Sequence, residues 1–123
     1  MSPRTAYPGG RVLNDTKVKE LLDTNDHIME AVATSLRQND VVSGISTIWE
    51  LRADLVDELS VPPEHQGVIP QASHRIFSER KLTKLLRKVE ELGGHIAGAI
   101  RRSEIPEAIA TVDIFLAFLE AEI

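Results

Sequence analysis

The chain of 123 residues contains no cysteine, which removes disulfide frameworks, thiolate metal sites and thiol nucleophiles together. It has no apolar run near the about 20 residues that cross a bilayer, so a membrane-spanning protein is not expected. An excess of positive charge is missing too: 14 Lys and Arg stand against 19 Asp and Glu, a net charge of −5. Duplex nucleic acid is therefore not an expected partner, because affinity there comes largely from neutralising phosphates. The opening MSPRTAYPGGR lacks the apolar stretch of a secretory signal. With its Pro and Gly it reads as a mobile arm over residues 1–13, and the protein is expected to be intracellular, cytoplasmic or nuclear. Catalytic signatures are absent as well. No glycine-rich phosphate loop follows a strand, no serine sits in a nucleophile elbow, and no Glu-x-x-His pair offers di-iron ligands.

What is present is one soluble domain's worth of chain, 42% hydrophobic and 27% charged, with an internal repeat. Shifting the chain by 64 positions aligns Lys17 to Leu59 with Lys81 to Ile123 without a gap, and ten of the 43 pairs are identical. Among them are Lys17/Lys81, Leu21/Leu85, Arg37/Arg101, Thr47/Thr111 and Glu58/Glu122. Each copy reads as helix, short turn, helix. Val18, Leu21, Leu22, Ile28, Met29, Val32 and Leu36 follow the 3.6-residue period of a helix over about 16–37, with Asn14 or Asp15 as its cap. Gln38, Asn39 and Asp40 break it, and Asp40 can cap a second helix whose stripe runs Val41, Ile45, Ile48, Trp49, Leu55, Val56 and Leu59. Pro62, Pro63, Gly67 and Pro70 mark a linker over 61–77, from which Ile69, Ile76 and Phe77 can fold back. The third helix starts near Ser78, or earlier at Ser73; Ser103 is positioned to cap the fourth, and Pro106 fits its first turn. The expectation is an all-α four-helix bundle of two tandem antiparallel hairpins, 14–60 and 78–123, forming one domain over 14–123. Up-down-up-down order follows from short turns, while the long linker also permits one hairpin to swap onto a second chain.

Residues that break the pattern are the candidate functional ones. At 100° per residue, Asn25 falls in the apolar stripe of helix 1 and Arg52 in that of helix 2. Antiparallel pairing sets them at one height, whereas their repeat-mates Val89 and Leu116 are apolar. The spacing predicts a shared Asn25–Arg52 polar core layer that fixes register or receives an acidic or carbonyl group. Helix 4 departs in the opposite sense. Ile105, Ile109, Val112, Leu116, Leu119 and Ile123 form its core stripe, yet Ile114 and Phe118 point away from it, with Phe115 between the faces and Ala121 extending the patch. A helix apolar nearly all round is buried nearly all round, so Ile114, Phe115, Phe118 and Ala121 are predicted to line a partner or oligomer interface, unless the arm or linker covers them. Gly93, Gly94 and Gly98 each cost roughly 1 kcal/mol against alanine inside a helix. Gly93 faces inward and can make room for Trp49 or Phe115; Gly94 and Gly98 form an outward strip for close helix approach, or simply mark a kink.

The remaining charged groups read as solvated. Arg80, Lys84, Arg87 and Lys88 make a basic face on helix 3, suited to pairing with helices 1 and 2 or to an anionic partner. Glu20, Asp23, Asp54 and Asp57 resemble the acidic pairs of all-α nucleotide pyrophosphohydrolases, but all four project away from the apolar stripes and cannot converge in one hairpin. His27 and His95 lie at the surface, so no metal site and no cofactor are expected.

Leu22-Asp23-x-Asn25-x-His27-Ile28-Met29-x-x-Val32, followed by Leu51-x-x-Asp54-Leu55-Val56, resembles the N-terminal helical hairpin of the SSXT (synovial sarcoma translocation, GIF-type) coactivator family over residues 17–59. The resemblance implies a hairpin that docks onto helices of a chromatin-remodelling subunit without catalysis. Asn25 matches the family asparagine, and Arg52 falls where members carry His or Lys. The family's Gly-Lys turn, helix-2 tyrosine and Gln-rich tail have no counterparts here. The expected function is a non-enzymatic protein–protein interaction module, acting as a homo-oligomer or as a subunit of a larger assembly. The alternatives are a bundle that binds a small ligand or metal in its core, with Arg52 as anion anchor, and a coactivator-like hairpin.

Overall fold

A computed structural model describes residues 13–59 and 76–123. Its helices are α1 (Asp15–Arg37), α2 (Val41–Asp57), α3 (Glu79–Arg101) and α4 (Ile105–Glu120). The 64-residue shift carries the bounds of α1 onto those of α3 and the start of α2 onto that of α4. The expected arm and linker, including Ile69 and Ser73, lie outside the described residues apart from Leu13, Ile76 and Phe77.

Local chemistry sets these boundaries. Asn14 Oδ1 accepts from Lys17 N at 2.8 Å, and its repeat-mate Ser78 Oγ accepts from Lys81 N at 3.1 Å, so two orphan amides at equivalent helix starts are satisfied alike. Asp40 caps α2 through Ser43 N. Ser103 does not cap α4, whose N-cap position is Glu104 with no side-chain cap bond. Instead Asn39 and Ser103, repeat-mates in the two turns, carry φ of 61° and 57°. That left-handed turn brings Asp40 N to Ser35 O and Glu104 N to Ala99 O, both at 2.8 Å.

The two turns also lock the hairpins together reciprocally. Leu13 N, just before α1, donates to Ser103 Oγ at 3.0 Å, and Phe77 N, just before α3, donates to Asn39 Oδ1 at 2.8 Å. These bonds place the start of each long helix beside the end of the other, so α1 and α3 are antiparallel. Helix α1 packs on α2 and α3, and α4 packs on α2 and α3. The order is thus up-down-down-up rather than the expected up-down-up-down. Up-down-up-down needs only short turns, but here α2 ends and α3 begins at opposite ends of the bundle. Helix α2 is about 25 Å long, and the residues between it and α3 reach about 70 Å when extended, enough for that return. Every neighbouring pair of helices is then antiparallel.

The core lies on the pseudo-twofold axis that relates the hairpins. Leu51 and its mate Phe115 are both fully buried, as are Ile45 and Ile109, and Leu55 and Leu119. Lys17–Glu58 at 3.2 Å and Lys81–Glu122 at 3.0 Å repeat one ion pair at opposite ends of the bundle. Two edge expectations fail. Ile76 is 81% exposed and does not fold back although Phe77 does, and Ile123, beyond the end of α4, is exposed rather than part of the core stripe.

Candidate functional site

Asn25 and Arg52 are not brought together. Asn25 is 1% exposed and points from α1 to α3, where Nδ2 donates to Gly93 O at 3.1 Å; its Oδ1 is buried without a hydrogen-bond partner. Arg52 points from α2 to α4, donating from Nε to Asp113 Oδ1 at 2.7 Å and from Nη2 to Asp113 Oδ2 at 3.4 Å. It also lies over the Trp49 ring, 5.6 Å from the centroid. The expected single layer is therefore two separate crossings. The reason is directional: periodicity sets a residue's angle on its helix, but each stripe is wide enough to serve two neighbours, and both side chains turn to the opposite hairpin. A carboxylate of the same chain already engages the guanidinium proposed as an anion anchor. Asp113, the repeat-mate of Trp49, was missed, and no sequence signal marked it, because the packing of α4 on α2 follows from the observed helix order.

The three glycines also separate. Gly93 is buried, and a Cβ there would stand 2.7 Å from Met29 Cγ and 2.8 Å from Sδ. The room it makes is for Met29, its own repeat-mate across the axis, and not for Trp49 or Phe115. Gly94 is exposed with nothing near its Cβ direction, and a Cβ on Gly98 would stand 3.2 Å from Nη1 of Arg102, the C-cap of the same helix. Among the described residues no second helix approaches either of them.

On α4, Phe115 is 0% exposed and belongs to the internal core, so it is withdrawn from the interface set. The core reaches it because its mate Leu51 occupies the same central position in α2. Ile114 is 57% exposed, Ala121 is exposed and Phe118 is half-buried, its ring meeting Phe115 edge to face at 6.4 Å. Ala110 and Ala117 are exposed as well, so Ala110, Ile114, Ala117 and Ala121 form an outward strip with the 4-3-4 spacing of a coiled-coil seam. The repeat supplies an internal control. The matching positions of α2 are Ser46, Glu50, Ala53 and Asp57, all exposed, and Asp54 stands where α4 has Phe118. One fold position is solvated in one copy and apolar in the other.

Polar groups elsewhere serve the fold. Desolvation raises the Asp54 carboxyl above its ordinary value although the residue is exposed overall, with Asp57, Glu50 and Glu58 adding repulsion and Lys17 opposing. The Asp40 carboxyl is lowered by the Ser43 hydroxyl and then by the Ser43 amide it caps. His27 and His95 are exposed, and among the described residues no three His, Asp or Glu gather as metal ligands. Among those residues no helix is long and apolar enough to cross a membrane. Of the residues quoted for the SSXT resemblance, Asn25, Val32, Leu51, Leu55 and Val56 are buried, in the core that the second hairpin helps to build. Comparison of the chain with family models, curated proteins and solved structures gives no significant match.

Proposed function

We propose that this protein is a non-catalytic helical interaction module whose working surface is the outward face of α4. The observation that carries this reading is the contrast between repeat-mates. Ser46, Glu50, Ala53 and Asp57 show that the fold accepts a solvated strip at this position, so the apolar strip Ala110, Ile114, Ala117 and Ala121 is not required for folding. Exposed apolar strips of this kind mark association surfaces. Hairpin one, the stretch that resembles a coactivator docking hairpin, has its helical partner in the same chain, which leaves α4 as the outward surface.

The test copies the repeat onto itself. Ile114→Glu with Ala121→Asp places the α2 residues on α4, and Phe118→Asp is added as a second variant because Phe118 touches the core. Sedimentation of the purified chain and its apparent mass in an extract of its native source are compared with the parent. Loss of an assembly with helicity and unfolding midpoint retained supports the reading. If neither mass depends on the strip, the reading is wrong.

A further inference from the structure

Resting on that reading, we infer that the occupant of the α4 strip is a second copy of this chain, with its α4 parallel to the first. The argument is the charge of the strip's two borders. On the side facing α2 stand Asp113 and Glu120, both exposed, with Asp113 turned to Arg52. On the side facing α3 stand Lys81, Lys84 and Lys88, three and four residues apart and so on one face of α3. Lys81 bonds Glu122 at 3.0 Å, which fixes the relative height of the antiparallel α3 and α4. Moving three residues along α3 brings Lys84 level with residue 119, beside Glu120 but across the apolar strip. Lys88 is one turn lower, near the height of Ile114, and bonds Glu91 of its own helix at 3.2 Å.

Symmetry then decides the orientation. A dyad perpendicular to α4 sets acidic border against acidic border and basic against basic. A dyad parallel to α4 turns the acidic border of one copy to the basic border of the other, so Glu120 faces the partner's lysine border twice. In that arrangement Ile114 meets its own equivalent, flanked by alanine layers at 110, 117 and 121 that let the helices approach closely. A partner helix of a single charge sign matches only one border, whereas a second copy carries both. One short helix face falls below the about 1,200 Å² of a stable interface, so the dimer is weak and its mass rises with concentration.

The cysteine-free sequence makes the test direct. In the full chain, Ala121→Cys is oxidised beside Ser46→Cys, an exposed control at the repeat-mate of Ala110. A parallel dyad brings residue 121 to its own equivalent, within the about 4.4–6.8 Å Cα separation of a disulfide, so Ala121→Cys forms covalent dimers and Ser46→Cys does not. Equal cross-linking of the two overturns the proposal. Sedimentation at low salt adds the charge test. Glu120→Lys and Lys84→Glu each weaken self-association by at least about twofold, since a surface ion pair is worth about 1.5- to 5-fold and the dyad counts it twice, and the double reversal restores it. If Glu120→Lys strengthens association, the helices are antiparallel and the proposal is wrong. A purified chain that stays monomeric, while its mass in native extract still depends on Ile114, refutes the second copy and leaves the broader reading intact.

Discussion

Replacing Asn25 by valine, the residue its repeat-mate Val89 already is, should stabilise the protein. The side chain is 1% exposed and makes one hydrogen bond, to Gly93 O at 3.1 Å, while its Oδ1 has no hydrogen-bond partner. Losing that bond costs about 1 kcal/mol, but the Gly93 carbonyl is not orphaned, because as a residue inside α3 it keeps its place in the helical ladder. Removing a buried acceptor without a partner returns about 1–3 kcal/mol, and valine fills a similar volume. The balance is a gain of about 1 kcal/mol, or about 3–6 °C in Tm for a domain of this size. Urea unfolding followed by circular dichroism measures it, with the slope m unchanged so that the midpoint reports stability alone. A loss of more than about 1 kcal/mol would show that Oδ1 is satisfied in solution, by a buried water or by a rearranged neighbour, and that the accounting is wrong.

Three further outcomes are expected. Gly93→Ala destabilises by about 1–3 kcal/mol by overpacking, since its Cβ would stand 2.7 Å from Met29 Cγ, and Met29→Ala in the same chain relieves the crowding; Gly94→Ala, in open space, stabilises by about 0.5–1 kcal/mol. Thermal midpoints of the four proteins check both signs. Ser103→Asn copies Asn39, keeps an acceptor for Leu13 N and suits φ near 57°, so it stabilises by about 0.5–1 kcal/mol in chemical denaturation, and a loss would show that asparagine cannot reach that amide. Asp54→Asn changes the pH profile. A carboxyl whose folded pKa is raised binds protons more tightly when folded, so its cost is absent below the unfolded value, grows as pH rises towards the folded value and is full above it. The variant therefore gains stability over the parent at pH 7 and not at pH 3, and an equal gain at both would assign the effect to something other than charge.

The helices were legible because period, cap and repeat agreed at the starts of α1, α2 and α3, while α4, which has no side-chain cap, rested on period and repeat alone. The first helix was expected from about 16 and begins at Asp15, and the Ser78 cap sits where the shift from Asn14 puts it. The order of the helices was not legible, since the residues between Leu59 and Ile76 suffice for either a short return or a full-length one. Nor were the partners of Asn25 and Arg52, because a side chain's angle on its own helix does not choose between two neighbours that share the stripe. Phe115 shows the same limit. Counting 100° per residue left it between the faces, and only the position of its mate Leu51 beside the axis makes it core. Expectations that needed no partner geometry, such as the outward direction of Ile114 and the exposure of His27 and His95, agree with the structure.

Three departures from internal symmetry now stand side by side, and they are not equivalent. Asn25 against Val89 is met inside the fold by the Gly93 carbonyl, and Arg52 against Leu116 is met by Asp113. Each substitution in one hairpin is answered by a residue in the other, as expected when two copies diverge while remaining packed on each other. The strip Ala110, Ile114, Ala117 and Ala121, against Ser46, Glu50, Ala53 and Asp57, is different. Burial of Ile114 is worth about 1.5–3 kcal/mol, yet 57% of its surface stays open in the chain, so most of that gain is left unrealised. A change answered inside the fold can persist for stability alone. One that leaves its gain open points to something outside the fold, and the α4 strip is the departure where that gain is largest.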